Sequence, residues 1–273
     1  MLIDCKSIAK SIDEETLSLI QKASVKPRLV SISVKPDQGT ISYLRSQQKK
    51  AQSLGIEYEM INIDDEVQLE ESLLRTSQDE SVHGIFVSHP LPPNFDEIKI
   101  AHLIEANKDI EGRNPLNMGR LVYGMEDFAP CTATAVVRIL TSVTNLTGKS
   151  VVVIGRSTTV GLPTSIMLLR RDRSATVTVC HSKTKDIPQI TKNADVIVVA
   201  VGKACFLTPE MVRDNSVVVD VGINVVDGKI VGDSDISVQQ KALVTPVPGG
   251  VGVVTTSILM NRVVKNALRG GKN

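Results

Sequence analysis

The chain has 273 residues, enough for two modest domains that each bury a core. Its 31 Lys and Arg nearly cancel its 30 Asp and Glu, which speaks against a nucleic-acid footprint or a membrane-surface patch. Trp is absent and no apolar stretch reaches the roughly 20 residues of a membrane span, so base stacking and membrane insertion are both disfavoured.

The first residues, Met1 to Lys6, lack the basic-then-apolar layout of a signal peptide. Cys5, Cys131, Cys180 and Cys205 show neither metal-ligand spacing nor a disulfide framework. The expectation is a cytoplasmic protein with reduced thiols and no metal. Strands are predicted over Leu29–Val34, Tyr58–Ile63 and Gly84–Val87, then Val151–Ile154, Thr176–Val179, Val196–Val201 and Val217–Val221. Most are continuous apolar runs, as in a parallel sheet covered on both faces. Helices are predicted over Thr40–Leu54, Thr132–Val143, Pro163–Arg171 and Thr255–Leu268. The alternation reads as an α/β fold of two domains with right-handed crossovers. Gly119, Gly124 and Pro130 interrupt the pattern, which puts the boundary near Gly119–Thr132. Residues 1–120 with a returning C-terminal segment, 254–273, form the expected substrate domain. Residues 121–253 form a Rossmann-like parallel-sheet domain, with a ligand cleft between the two.

Two glycine-bearing loops carry the chemistry. Gly155-Arg156-Ser157-Thr158-Thr159-Val160-Gly161 follows the strand that ends at Ile154 and precedes a helix. A strand that breaks into such a turn exposes backbone N–H groups where a phosphate can sit. At the end of the next strand, where a carboxylate would bond the ribose hydroxyls of NAD, the chain has Cys180-His181-Ser182-Lys183-Thr184. A carboxylate there would repel a 2′-phosphate, whereas Ser182, Lys183 and Arg156 suit one, so NADP is the expected cofactor. Gly202 and Gly222 each lie just past a strand end, where an open parallel sheet forms its ligand crevice. The second loop, Thr245-Pro246-Val247-Pro248-Gly249-Gly250-Val251-Gly252, holds too much Pro and Gly for helix or central strand. It reads as a stiff loop shaped to lie against a ligand.

These segments, with Ile3-Asp4-Cys5-Lys6, Ser42-Tyr43, Pro90-Leu91-Pro92, Lys108-Asp109, Asn117 to Leu121 and Pro130-Cys131-Thr132, resemble the methylenetetrahydrofolate dehydrogenase/cyclohydrolase family. The likeness runs through nearly the whole chain in order. It implies a homodimer of one-carbon metabolism that oxidises methylenetetrahydrofolate with NADP and hydrolyses the methenyl product to the formyl form. It also implies nucleotide contacts from Gly155, Arg156, Ser157, Val160 and Gly161. Further contacts are implied at His181, Ser182, Lys183, Ala200, Gly202, Gly222 and Ile223. Folate contacts are implied at Tyr43, Glu111, Thr132, Pro248, Gly249, Gly250 and Gly252.

The chain departs from the family pattern at three catalytic positions. Gln47 stands where the family has Lys, Ser88 where it has Gln, and Glu111 where it has Asp. On a helix, Tyr43, Gln47, Lys50 and Leu54 fall on one stripe and Ile41, Leu44, Ala51 and Gly55 on another, read as the core face. Lys50, one turn beyond Gln47, is the candidate substitute base. Hydride transfer needs orientation and no protein acid or base, whereas hydrolysis of the methenyl cation needs proton transfers that an amide cannot make. The expectation is therefore a dehydrogenase whose hydrolase activity is doubtful. The alternatives are a fully bifunctional enzyme with a substitute base and a low-turnover folate- and NADP-binding protein.

Overall fold

The computed structural model describes residues 1–270; the last three positions of the 254–273 segment lie outside them. The chain divides into two compact units. One comprises Ser11–Arg120 with the chain from Thr256 onward, the other Met1–Lys10 with Leu121–Thr255. The first ten residues thus belong with the second unit, where Ile3 N–H donates to Val244 O.

In chain order the elements are α1 (Cys5–Ile20), β1 (Arg28–Val34), α2 (Gln38–Ser53), β2 (Glu57–Ile63), α3 (Glu66–Gln78), β3 (Gly84–Val87), α4 (Glu97–Leu103) and α5 (Pro115–Val122). Asp37, Asp65 and Asp96 cap α2, α3 and α4, each side chain accepting first-turn N–H bonds. The strands of this unit form a parallel sheet in the order β2-β1-β3. Val30, Ile32, Ile85 and Val87 bury one face against Leu69 and Leu73 of α3 and Ile100 of α4. The other face differs from the apolar run expected of a doubly covered strand: β1 places Ser31 and Ser33 there, in register with Phe86, Met60 and Asn62. Helix α2 covers this polar face, with Tyr43 against Phe86 and Gln47 against Tyr58.

The second unit continues with α6 (Cys131–Val143), β4 (Ser150–Ile154), α7 (Gly161–Leu168), β5 (Thr176–Cys180), α8 (Ile187–Thr191), β6 (Val196–Val199), β7 (Val217–Asp220), β8 (Asn224–Val226), β9 (Lys229–Val231), β10 (Leu243–Val244) and the first turn of α9 (Val251–Gly270), the rest of which belongs to the first unit. Its five-stranded parallel sheet has the order β10-β7-β6-β4-β5. Strands β6 and β7 are buried at every position, the signature of a sheet covered on both faces. From β4 the chain runs outward to β5 and then returns to the other side as β6. The β4–β6 junction is therefore the topological switch point, where ligands of open α/β sheets bind.

Boundaries differ from the sequence reading in ways that have local causes. Strand β6 stops at Val199, because the Val201 amide turns away from the ladder to the Asp233 carboxylate. Helix α9 begins at Val251 instead of Thr255, its first turn closed by Val253 N–H on Gly250 O. The hairpin β8–β9 was not anticipated, although its Asp227-Gly228 turn, both residues at positive φ, is a strong hairpin signal.

Candidate functional site

The turn after β4 is built by glycine. Gly155 sits at φ +121°, and a Cβ there would lie 2.3 Å from Ala200 O. A Cβ at Gly161 would lie 2.0 Å from Gly155 O. The strand end, the turn and the first residue of α7 are thus pressed together more closely than any side chain permits. Ser157 shapes the turn by accepting from Val160 N–H at 3.1 Å, while Arg156, Ser157 and Thr158 stay exposed. Val160, the residue before α7, offers no side-chain cap; in the first turn Leu162 N–H donates to Ser157 O at 3.1 Å and residue 163 is a proline without an N–H. At the end of β5, His181 N–H donates to Thr184 Oγ1 and Lys183 N–H to His181 Nδ1, which presents Ser182 and Lys183 at the surface. No carboxylate occurs between Cys180 and Lys185. These residues fit a phosphate-bearing dinucleotide with a 2′-phosphate: a side-chain-free backbone cradle, then a basic, acid-free rim.

Of the other expected nucleotide residues, Ala200 adjoins Gly155, whereas Gly202, at φ +63°, and Ile223 are exposed. Gly222 is buried, and its Cβ position is filled by the Asp233 carboxyl, 2.3 Å away. The need for glycine at 222 is therefore met inside the protein. Asp233 itself was missed at the sequence level: it follows no pattern, and its partners are up to 32 residues away.

The second glycine loop contains a cis Val247–Pro248 bond. Gly249 sits at φ +93°, and Gly250 lacks room for a Cβ, which would meet Pro246 O at 2.2 Å. Thr245 anchors the loop by accepting from Asp220 N–H at 2.8 Å. Pro248 and Gly252 are exposed, and Thr132 lies half-buried in the first turn of α6.

In the other unit, Tyr43 is 43 % exposed and its ring lies 6.2 Å from that of Phe86. Gln47 is only 1 % exposed, which corrects the reading of its stripe as an open face. Leu44, Gln47 and Ala51 follow the i, i+3, i+7 spacing and share the buried side of α2. The Gln47 carbonyl accepts from Tyr58 O–H at 3.2 Å, and its amide nitrogen has no acceptor among the described residues. Lys50 forms an ion pair with Asp13, which engages its ammonium. Ser88 is buried just beyond β3, its N–H on Ile32 O.

Glu111 follows Asp109, which is buried and accepts from Gly112 N–H, Asn114 N–H and the Asn117 amide. That network holds the turn that carries Glu111. The Glu111 carboxylate lies 3.9 Å from His89 Nδ1. His89 Nδ1 lies 2.7 Å from Val87 O, and burial, with Arg113 nearby, depresses its pKa to about 4. Burial pushes Glu111 the other way, to about 8, against the pull of Arg113. Neutral forms of both groups are thus favoured near pH 7.

This shift has a thermodynamic consequence. The folded pKa of Glu111 lies above the unfolded one, so its stabilising contribution is complete below about pH 4.5 and is lost as pH rises through about 8. Glu111→Gln is expected to have a melting temperature that falls less between pH 5 and 9 than the wild type's. Differential scanning fluorimetry across that range reads it; parallel curves would refute the shift.

Among the described residues, no group of three or more His, Cys, Asp and Glu is arranged to hold a metal, and no helix is long and apolar enough to cross a membrane.

Comparison with known proteins gives a consistent result. Residues 3–111 match the family described as the tetrahydrofolate dehydrogenase/cyclohydrolase catalytic domain, and residues 130–270 match its NAD(P)-binding domain. The chain is 68 % identical, over the full length of both, to a protein of Pseudothermotoga lettingae named Bifunctional protein FolD. Among solved structures, it is similar to the FolD methylenetetrahydrofolate dehydrogenase/cyclohydrolase of Campylobacter jejuni, with TM-score 0.93, 38 % identity and 98 % of each chain covered. It is also similar to the Trypanosoma brucei enzyme solved with NADP and an inhibitor, with TM-score 0.93, 31 % identity, and 100 % of this chain and 99 % of that one covered.

Proposed function

Since the chain belongs to the tetrahydrofolate dehydrogenase/cyclohydrolase family, we propose that it oxidises 5,10-methylenetetrahydrofolate with NADP and hydrolyses the methenyl product to formyltetrahydrofolate. The observation that carries the oxidation is the glycine-built cradle after β4 with an acid-free basic rim after β5. The nicotinamide, when bound, accepts the hydride. The electron push comes from the substrate nitrogen beside the methylene carbon, so the protein has only to orient the reactants and exclude water. Arg156, Ser182 and Lys183 hold the 2′-phosphate in this reading, and Tyr43 is assigned to the folate.

Hydrolysis consumes one water: its oxygen bonds to the methenyl carbon, one carbon–nitrogen bond breaks, the released nitrogen takes a proton, and one proton leaves to solvent. The substitutions at 47, 88 and 111 make this step the doubtful one in the sequence reading. The full-length relatives that bear the bifunctional name weigh for its retention. With Lys50 engaged by Asp13, Glu111 is the residue of this stretch whose pKa lies near neutrality, and we assign it the proton transfers that the family's lysine position no longer makes. Gln47 contributes hydrogen bonding only.

The test is a time course of methenyltetrahydrofolate absorbance after mixing protein, methylenetetrahydrofolate and NADP. NADPH and the formyl product are expected to accumulate together, with methenyl decaying faster than in buffer. Decay at the buffer's own rate would leave a dehydrogenase alone. We further propose a cytoplasmic homodimer. Free cysteines suit a reducing compartment. Ile223 and Val225, 70 % and 73 % exposed at the β8–β9 hairpin, suit burial against a second copy, which sedimentation analysis would detect.

A further inference from the structure

The Asp233 carboxylate is fully buried, yet among the described residues it forms no ion pair with a cation. It accepts from three consecutive backbone amides, Val201 at 2.6 Å, Gly202 at 3.0 Å and Lys203 at 2.9 Å, and from the Asn224 side-chain amide at 2.9 Å. Successive amides converging in this way make an anion-binding nest. Here the anion is part of the chain, so the nest after β6 is filled internally, unlike the one after β4.

Asp233 is in turn fixed by Asp220, which accepts from Asp233 N–H at 3.0 Å, Ser234 N–H at 2.8 Å and Gly222 N–H at 2.9 Å. Two glycines interlock the pair: a Cβ at Gly222 would strike the Asp233 carboxyl, and one at Gly232 would lie 2.0 Å from Asp220 Oδ2. The clamped turn runs on from Ala200, whose carbonyl oxygen packs where a Cβ of Gly155 would be. A displacement of residues 201–203 therefore reaches the phosphate turn through a contact with no slack.

We propose that Asp233 is a positioning residue of the nucleotide site, its carboxylate setting the Val201–Lys203 turn against which the Gly155 loop is shaped. The inference rests on the reading that this loop holds NADP. Asp233→Asn keeps the shape but turns an NH2 group towards backbone donors on one side, so two of the four hydrogen bonds are lost.

The experiment is titration of wild type and Asp233→Asn with NADPH, followed by the fluorescence of the bound nucleotide, alongside KM for methylenetetrahydrofolate and kcat at saturating NADP. The expected result is a dissociation constant for NADPH raised about tenfold or more, with folate KM and kcat changed much less. An unchanged NADPH dissociation constant would overturn the proposal. So would a parallel loss of both ligands' affinities or a fall in active fraction alone, since either marks a structural role. If Asp233→Asn does not fold, Asn224→Ala removes a single bond to the same carboxylate. It is expected to weaken NADPH about two- to threefold, and wild-type affinity would refute the clamp. Failure of the wild type itself to bind NADPH would strike the underlying reading instead.

Discussion

Gly161→Ala is expected to abolish useful NADP turnover, lowering kcat/KM for NADP by about 100-fold or more, which corresponds to roughly 3 kcal/mol of lost transition-state stabilisation. The added methyl would sit 2.0 Å from Gly155 O and 2.5 Å from its carbonyl carbon. Both obstacles are backbone, so no side-chain rotation relieves the clash, and the turn and the start of α7 must part. That separation redirects the amides on which phosphate binding depends. Tyr43, Gln47 and Glu111, the residues proposed for the folate chemistry, belong to the other unit. Hydrolysis of methenyltetrahydrofolate supplied directly is therefore expected to survive the substitution. Steady-state NADPH formation and methenyl decay, measured on the same preparation, read the two activities separately. Wild-type use of NADP would show that the phosphates are held elsewhere. Loss of both activities with a collapsed melting transition would show that the turn serves folding instead.

Gln47→Lys has the second large expected effect and the opposite sign. An amide donates and accepts hydrogen bonds but does not exchange protons usefully at neutral pH. An amine at the same place does, and its burial depresses its pKa towards the working range. The expected result is methenyl hydrolysis faster by about 10–100-fold, the lower part of what general acid–base groups supply, with the dehydrogenase rate little changed. The gain carries a stability penalty. The side chain at 47 is 1 % exposed and meets the Tyr58 phenol rather than a carboxylate. A cation there is desolvated without a counter-charge, and the melting temperature is expected to fall. A rise in hydrolysis with a fall in melting temperature would place residue 47 on the proton path. Unchanged hydrolysis would exclude it, and leave Glu111 to carry the transfers by a route that does not pass this helix.

Much of the architecture was legible because its signals are local. Short β-branched apolar runs such as Val151–Ile154 and Val196–Val199 read as strands buried on both faces, and strands alternating with helices leave few topologies open. The glycine turn after β4 was legible for the same reason: strand, glycine, helix and the missing carboxylate after β5 are all sequence facts about neighbours. The Asp227-Gly228 hairpin was equally local and was passed over, since its flanking residues are too few to read as strands on their own.

What the sequence by itself determined is therefore the fold class, the two glycine loops and the residue types at positions 47, 88 and 111. All of these depend on residues within about one element of each other. What only the tertiary structure decided is where side chains end and what they meet. Helical spacing put Gln47 on the stripe of Tyr43 and Lys50, away from the one read as core, and packing against Tyr58 from β2 put it inside. Lys50 had a free stem until α1 brought Asp13 to it. Asp233 is an ordinary surface-type residue in the sequence. It becomes the anchor of a loop 30 to 32 positions earlier because a parallel sheet gathers its strand ends at one edge, and burial there leaves each amide dependent on whatever acceptor the fold delivers.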